Sequence, residues 1–142
     1  NNRQRMIRRA LRTLIKNGHP GALDVLGFGE PMVSFGGLHV LTPEVSVGEY
    51  VELVAKFEST MDTEQRLMID YVVHHRKKNG SLSPKVFKWT ERSVKPGEAI
   101  ELTRSHSMKK VSTRRYYEGL HRVELVINGR RFGDAPFVLT VD

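Results

Sequence analysis

The sequence of 142 residues contains no cysteine. This absence excludes disulfide bonds and metal sites built on thiolates, and it is compatible with the reducing cytoplasm in which we expect the protein. No run of eighteen apolar residues occurs, so no transmembrane helix and no membrane partner are expected. The N-terminus lacks the apolar segment of a signal peptide, and the missing initiator Met suggests a fragment of a longer protein.

The sequence also lacks the motifs of several enzyme classes. There is no G-x-S-x-G nucleophile elbow, no G-x-x-x-x-G-K-[ST] phosphate loop and no G-x-G-x-x-G fingerprint. His74 and His75 are adjacent in a predicted strand, so their side chains point to opposite faces and cannot share one ion. His106 and His121 add no spacing typical of a metal site. We expect no cofactor, no metal and no catalysis by this chain alone.

Positive charge is abundant and unevenly distributed. The net charge is +7, yet residues 1–16, 74–92 and 104–115 together carry +16, leaving −9 for the remainder. A surface with charge this segregated produces a directed field, which attracts polyanions. The sequence alone leaves open whether these segments bind a nucleic acid or form a solvated surface that keeps the domain soluble.

The hydrophobic period changes near residue 30. Before it, apolar residues recur at three- and four-residue spacing, which predicts a helix over residues 4–17 and a second over 20–26. Two short helices of this kind are typical of the end of a helical-repeat array. We therefore assign residues 1–29 to a helical-repeat region and residues 30–142 to a second domain.

Residues 30–142 have the alternation and turn spacing of a β-sandwich. The fold class is mainly β, an immunoglobulin-like antiparallel sandwich of about seven strands preceded by the short helical pair. The predicted strands are residues 36–41, 49–58, 66–76, 84–91, 98–104, 120–127 and 132–141.

Two Asn-Gly pairs predict the hairpins of this sandwich. Asn79-Gly80 and Asn128-Gly129 each separate two β-rich runs, and such pairs favour type I′ turns, in which both central residues have positive φ. Tyr117 opens the pattern of a tyrosine corner, so we interpret it as structural. Trp89 alternates with Phe87 and is predicted to lie in the core between the sheets.

The first hairpin and the later connection contain the candidate nucleic-acid contacts. Lys and Arg attract phosphates without regard to sequence, and nearby Ser and Thr hydroxyls can donate to phosphate oxygens. The candidate residues are Arg76, Lys77, Lys78, Lys85, Lys88, Arg104, Lys109, Lys110, Arg114 and Arg115.

Three segments resemble one family, the bacterial AlkC-type DNA alkylation repair glycosylases. They are Leu14-Ile15-Lys16-x-Gly18-x-Pro20-x-Ala22-Leu23-x-x-Leu26-Gly27-Phe28-Gly29, then Asp70-Tyr71-Val72-Val73-His74-His75-x-Lys77-x-Asn79-Gly80-x-x-Ser83-Pro84-Lys85-Val86-Phe87-Lys88, then Thr113-Arg114-Arg115-Tyr116-Tyr117-x-Gly119-x-His121-x-Val123-Glu124-Leu125. The resemblance implies the C-terminal part of such an enzyme: the last HEAT-like helical unit followed by an immunoglobulin-like domain.

The resemblance also implies a function in base excision repair. Family members hydrolyse the N-glycosidic bond of alkylated bases, so the expected partners are double-stranded DNA with alkylated bases and an N-terminal helical-repeat domain of the same chain. The catalytic residues of such enzymes belong to the helical repeats and are expected upstream of Asn1, so none is assigned here. The alternatives are a protein–protein interaction module or a structural cap with no role in DNA binding.

Overall fold

The computed structural model describes residues 28–111 and 115–141, and all regular elements in these ranges are β-strands. Eight strands follow one another along the chain: β1 (Val33–Val40), β2 (Glu44–Ser46), β3 (Tyr50–Ser59), β4 (Gln65–Arg76), β5 (Leu82–Val94), β6 (Ala99–Ser107), β7 (Gly119–Ile127) and β8 (Arg130–Thr140). The predicted helical pair lies in residues 1–27, outside the described residues.

The strands form two sheets with the topology of an immunoglobulin-like sandwich. One sheet has the order β1-β3-β6 and the other has the order β2-β8-β7-β4-β5. Without the short β2, β3 and β6 are the second and fifth strands of the chain, and they share one sheet. The strands β4, β7 and β8 share the other sheet, and this division is that of immunoglobulin domains. The mainly-β, immunoglobulin-like prediction is confirmed.

Two details of the predicted sandwich differ from the structure. The short strand β2 was not among the predicted strands, because three residues are too few to show an alternating pattern. Its pairing with β8 is parallel, so the sandwich is not antiparallel throughout.

The core is built by the alternating residues that the sequence pattern indicated. On β3, the side chains of Val51, Leu53, Ala55 and Phe57 are buried between the sheets. Burial of apolar surface of this kind contributes about 25 cal/mol per Å² and is the main stabilising term. Trp89 also lies in this core, and its indole N–H donates across the sandwich to the backbone oxygen of Thr103 at 3.3 Å.

The two Asn-Gly hairpins are present but use different turns. At Asn128-Gly129 both residues have positive φ, 49° and 77°, which is the predicted type I′ geometry. At Asn79-Gly80 only the glycine has positive φ, 86°. The Gly80 N–H donates to the oxygen of Lys77 at 3.0 Å, which makes a type I turn closed by a glycine bulge. The predicted hairpin is confirmed there, and its predicted turn type is wrong.

In the part of the chain that the structure describes, no helix has the length and apolar character that a membrane crossing requires.

Candidate nucleic-acid interface

The hairpin between β4 and β5 presents cations on a well-ordered turn. Besides the turn bond, the Lys77 N–H donates to the oxygen of Ser81 at 2.8 Å. Asn79 Oδ1 accepts from the backbone N–H and the hydroxyl of Ser81, at 3.0 and 2.6 Å. Because the polar groups of the turn bond one another, Lys77 and Lys78 extend into solvent from a fixed backbone.

The connection between β6 and β7 lies at the same end of the sandwich. The Tyr116 hydroxyl donates to the backbone oxygen of Lys109 at 3.0 Å, and its ring centroid lies 6.0 Å from that of His75 on β4. Lys109, Lys110 and Arg115 are exposed around this contact. Residues 112–114 are outside the described residues, so the predicted contact of Arg114 is not placed.

The two tyrosines of this connection have different surroundings. The Tyr116 hydroxyl donates to backbone upstream, as the hydroxyl of a tyrosine corner does. Tyr117 is half-buried, and the Arg115 guanidinium carbon lies 5.6 Å from its ring centroid. The structural role of Tyr117 stays a prediction, because residues 112–114, shortly before it in the chain, are outside the described residues.

Arg76 connects the hairpin to the start of β7. Its side chain packs against Gly119, so closely that a Cβ added to that glycine would lie 2.7 Å from Arg76 Cδ. The hairpin and the β6–β7 connection are therefore neighbours in space. We call the cations gathered there the basic end: Arg76, Lys77, Lys78, Lys109, Lys110 and Arg115.

The other candidate residues lie along the sides of the sandwich. Lys85 is on the edge strand β5, with Nζ 5.8 Å from the ring centroid of Phe87. Lys88, further along β5, lies 3.8 Å from a carboxylate oxygen of Glu91. Arg104 lies on β6, the edge strand of the other sheet. The structure does not bring these three cations into the basic end.

Arg104 contacts a buried aromatic cluster. The Tyr71 hydroxyl forms a 2.7 Å hydrogen bond with His106 Nδ1, which joins the two sheets. Burial raises the pKa of Tyr71, while a hydrogen bond from the Arg104 side chain and the positive charge of Arg104 both lower it. Tyr71 therefore stays protonated near neutral pH, as a hydrogen-bonding group.

Charge compensation distinguishes the basic end from the rest of the surface. Elsewhere, ion pairs join Arg92 to Glu98, Arg122 to Asp134, Arg130 to Glu30 and Arg131 to Glu124. Within residues 28–111 and 115–141, no carboxylate lies within ion-pair distance of a cation of the basic end.

Among the residues that the structure describes, two carboxylates lie at this end, and both accept hydrogen bonds from the backbone. Glu49 accepts from the Ser46 N–H at 2.6 Å and Glu118 accepts from the Val141 N–H at 3.3 Å. Since cations outnumber these carboxylates, the basic end presents a positive potential to solvent.

A buried histidine lies beneath the basic end. His121 is fully buried, its Nδ1 lies 3.1 Å from the oxygen of Gly119, and its Nε2 has no hydrogen-bond partner among the described residues. Burial lowers its pKa, the bond to Gly119 raises it, and the charge of Arg76 lowers it. His121 is thus held neutral below the cations. No group of side chains in the described residues has the arrangement of a metal site.

Gly119 was not among the predicted site residues, although its backbone conformation sets it apart. Gly119 has a φ of +128°, a conformation that side chains rarely adopt. Gly119 is the first residue of β7 and precedes its alternating residues, and a glycine at such a position indicates a special backbone conformation. The sequence did not indicate its contact with Arg76.

Comparison with known proteins shows the family. The family described as "Uncharacterised protein YhaZ, C-terminal Ig-like domain" matches residues 34–141. The protein described as "Uncharacterized protein YhaZ" from Bacillus subtilis (strain 168) is 32% identical over 125 residues, which cover 87% of this chain and 34% of that protein. The chain therefore spans about a third of the length of this relative.

Solved structures show the same relationship. The Pseudomonas fluorescens alkylpurine DNA glycosylase AlkC, bound to DNA containing an abasic site analogue, is 34% identical with a TM-score of 0.90. The match covers 94% of this chain and 38% of that one. A β-glucosidase from Listeria innocua has a TM-score of 0.62 at 14% identity, over 82% of this chain and 17% of that enzyme, and shares the fold alone. By these matches, the chain belongs to the family of YhaZ C-terminal immunoglobulin-like domains and has the structure of an AlkC-type C-terminal domain.

Proposed function

We propose that the sandwich is the DNA-binding C-terminal domain of a DNA glycosylase that removes alkylated bases, with the basic end facing the phosphate backbone. The observation that carries this proposal is the collection of cations at one end without carboxylate partners in the described residues. The similarity to a glycosylase that is bound to DNA supports a nucleic acid as the polyanion.

The chemistry of the basic end suits the backbone of a duplex. Each phosphate that a Lys or Arg neutralises releases condensed counterions, and this release favours binding at low salt whatever the base sequence. Lys77, Lys78, Lys109 and Lys110 are exposed and free to follow the phosphates. Lys85, Lys88 and Arg104 remain predicted contacts, which would require the duplex to extend along the sides of the sandwich.

The glycosylase activity belongs, in this proposal, to a longer protein. The chain covers 34% of its curated relative and 38% of its solved one, so a further region is available for catalysis. We propose that residues 1–29 end a helical-repeat region and that residues 30–142 follow it as the sandwich. Cleavage of an N-glycosidic bond passes through an oxocarbenium-like transition state, which an acidic side chain of the helical region would stabilise.

The test removes charge from the hairpin in the full chain and measures affinity for an alkylated duplex at several salt concentrations. Arg76, Lys77 and Lys78 are replaced together with Ala. The slope of log K against log salt is expected to fall by about 2–3, since each lost phosphate contact flattens it by about 0.9.

A matched control removes the same charges from elsewhere. Lys56, Arg92 and Lys95 are one arginine and two lysines outside the basic end, and their replacement with Ala is expected to leave the slope almost unchanged. An equal loss of slope in the control would mean that the basic end has no special role. An unchanged slope in the hairpin variant would refute the proposal and favour a protein-binding or capping domain.

A further inference from the structure

Arg76 differs from the lysines beside it because its side chain is packed. Lys77 and Lys78 are exposed, whereas Arg76 is half-buried. Its stem lies across Gly119, and a Cβ at that position would lie 2.7 Å from Cδ, 2.8 Å from Nε and 3.1 Å from Cζ. Real Cβ atoms do not approach other atoms so closely. The Arg76 side chain can therefore lie across the start of β7 only because residue 119 has no side chain.

A second glycine borders the outer end of the guanidinium group. A Cβ on Gly80, in the hairpin turn, would lie 3.4 Å from Arg76 Nη2. The guanidinium group therefore lies between the hairpin turn and the first residue of β7. Both glycines have positive φ, +86° at Gly80 and +128° at Gly119.

The donors of this guanidinium group are available for a ligand. Among the residues that the structure describes, Arg76 forms no ion pair with a carboxylate. The group beneath it is His121, which is buried and carries no negative charge in either protonation state, so it cannot form an ion pair with Arg76. A planar guanidinium group with free donors and a fixed stem matches two oxygens of one phosphate.

We propose that Gly119 positions Arg76 to hold one phosphodiester group of DNA with two parallel hydrogen bonds, while Lys77 and Lys78 add mobile charge. This inference rests on the proposed function and identifies a specific contact within it. An arginine whose side chain is already held in place loses less conformational entropy when it binds a phosphate. Packing of the Arg76 stem against Gly119 therefore favours the contact.

The test separates geometry from charge in the full chain. Arg76→Lys keeps the charge and loses the two-pronged donor arrangement. Its affinity for the duplex is expected to fall about tenfold, with the salt slope unchanged. Gly119→Ala removes no charge and displaces the Arg76 side chain, so it is expected to show a similar loss with the same slope. The double variant is expected to bind no more weakly than Arg76→Lys, because Gly119 acts through Arg76.

Gly37→Ala is the control for backbone strain. Gly37 has a φ of +134°, and its added Cβ would lie 2.9 Å from His39 Nε2, so the variant has a similar strain and a similar side-chain clash in β1. It is expected to bind DNA like the wild-type chain. Urea unfolding of each variant identifies any that is not folded, and Arg76→Lys, which leaves Gly119 intact, keeps the test decisive.

Three results would overturn the inference. They are wild-type affinity for Arg76→Lys, wild-type affinity for Gly119→Ala, and an additive loss in the double variant, which would mean that Gly119 acts independently of Arg76. Failure of the proposed function has a different signature, because the triple Ala variant would then keep the wild-type salt slope. A reduced slope in the triple variant with wild-type binding by Arg76→Lys would leave the proposed function standing and refute the fixed contact alone.

Discussion

Replacing Asn128 with Ala is expected to lower the free energy of unfolding by about 4–6 kcal/mol. Asn128 is buried in the turn between β7 and β8, and its side chain makes three hydrogen bonds. Its Oδ1 accepts from the Met68 N–H at 2.7 Å. Its Nδ2 donates to the backbone oxygens of Gly29 at 2.9 Å and Arg66 at 3.2 Å. One side chain thus holds the turn, β4 and the segment that precedes β1.

The magnitude has two separable parts. Alanine at a φ of +49° costs about 1 kcal/mol, because its Cβ crowds the backbone in the left-handed region. The lost bonds leave the buried Met68 N–H without its acceptor, which costs about 1–3 kcal/mol, and remove two further bonds of about 1 kcal/mol each. Asn128→Gly avoids the first part only, so it is expected to be about 1 kcal/mol more stable than Asn128→Ala.

The assay is urea unfolding followed by the fluorescence of Trp89, which is the only tryptophan and lies in the core. The midpoint of Asn128→Ala is expected to fall by about 2 M for a typical dependence on urea. Asn79→Ala is the control, because Asn79 is exposed and, within residues 28–111 and 115–141, its side chain bonds only Ser81. If Asn128→Gly unfolds at the wild-type midpoint, the three bonds contribute nothing and the reasoning fails.

Two further predictions concern buried hydrogen-bonding groups. The pKa of His121 is lowered by burial, so the folded state binds its proton less well than the unfolded chain, whose pKa is about 6.5. The free energy of unfolding is therefore highest above pH 6.5 and falls as the pH drops below 6.5, where the unfolded chain binds the His121 proton and the folded state does not. Between about pH 7 and pH 5, the urea midpoint is expected to vary less for His121→Gln than for the wild type. Tyr71→Phe removes the bond to His106 and is expected to lower the free energy of unfolding by about 1–2 kcal/mol in the same assay, whereas an unchanged midpoint would show that the bond adds nothing.

The strands could be predicted because their cause is local. Alternation of buried and exposed residues appears directly in the sequence, as in Val51, Leu53, Ala55 and Phe57, and each long strand was predicted within a few residues of its ends. β4 was less well described by this pattern. Met68 and Val72, on the opposite face from Leu67 and Ile69, are buried as well, so both faces of β4 are covered and its burial does not alternate.

The candidate interface could be predicted only as a set of charges. The runs that contain Lys77, Lys78, Lys109 and Lys110 are visible in the sequence, and the topology brings them to one end. The contact between Arg76 and Gly119 depends on how a hairpin packs beside a strand that begins forty-three residues later. Local patterns carry no information on such a contact, since it follows from the packing of whole elements.

Phe28 and Gly29 contact the sandwich at the end opposite the basic end. Phe28 packs 4.7 Å from the Arg66 guanidinium group, and Gly29 is bonded by Asn128. Both contacts lie at the end opposite Arg76, ten residues away along β4, which corresponds to about 33 Å. Under the proposed function, the phosphates held at the basic end would therefore lie about 33 Å from Phe28 and Gly29. β4 and β5 span this separation with 12 and 13 residues, which exceed an ordinary strand of about 5–6.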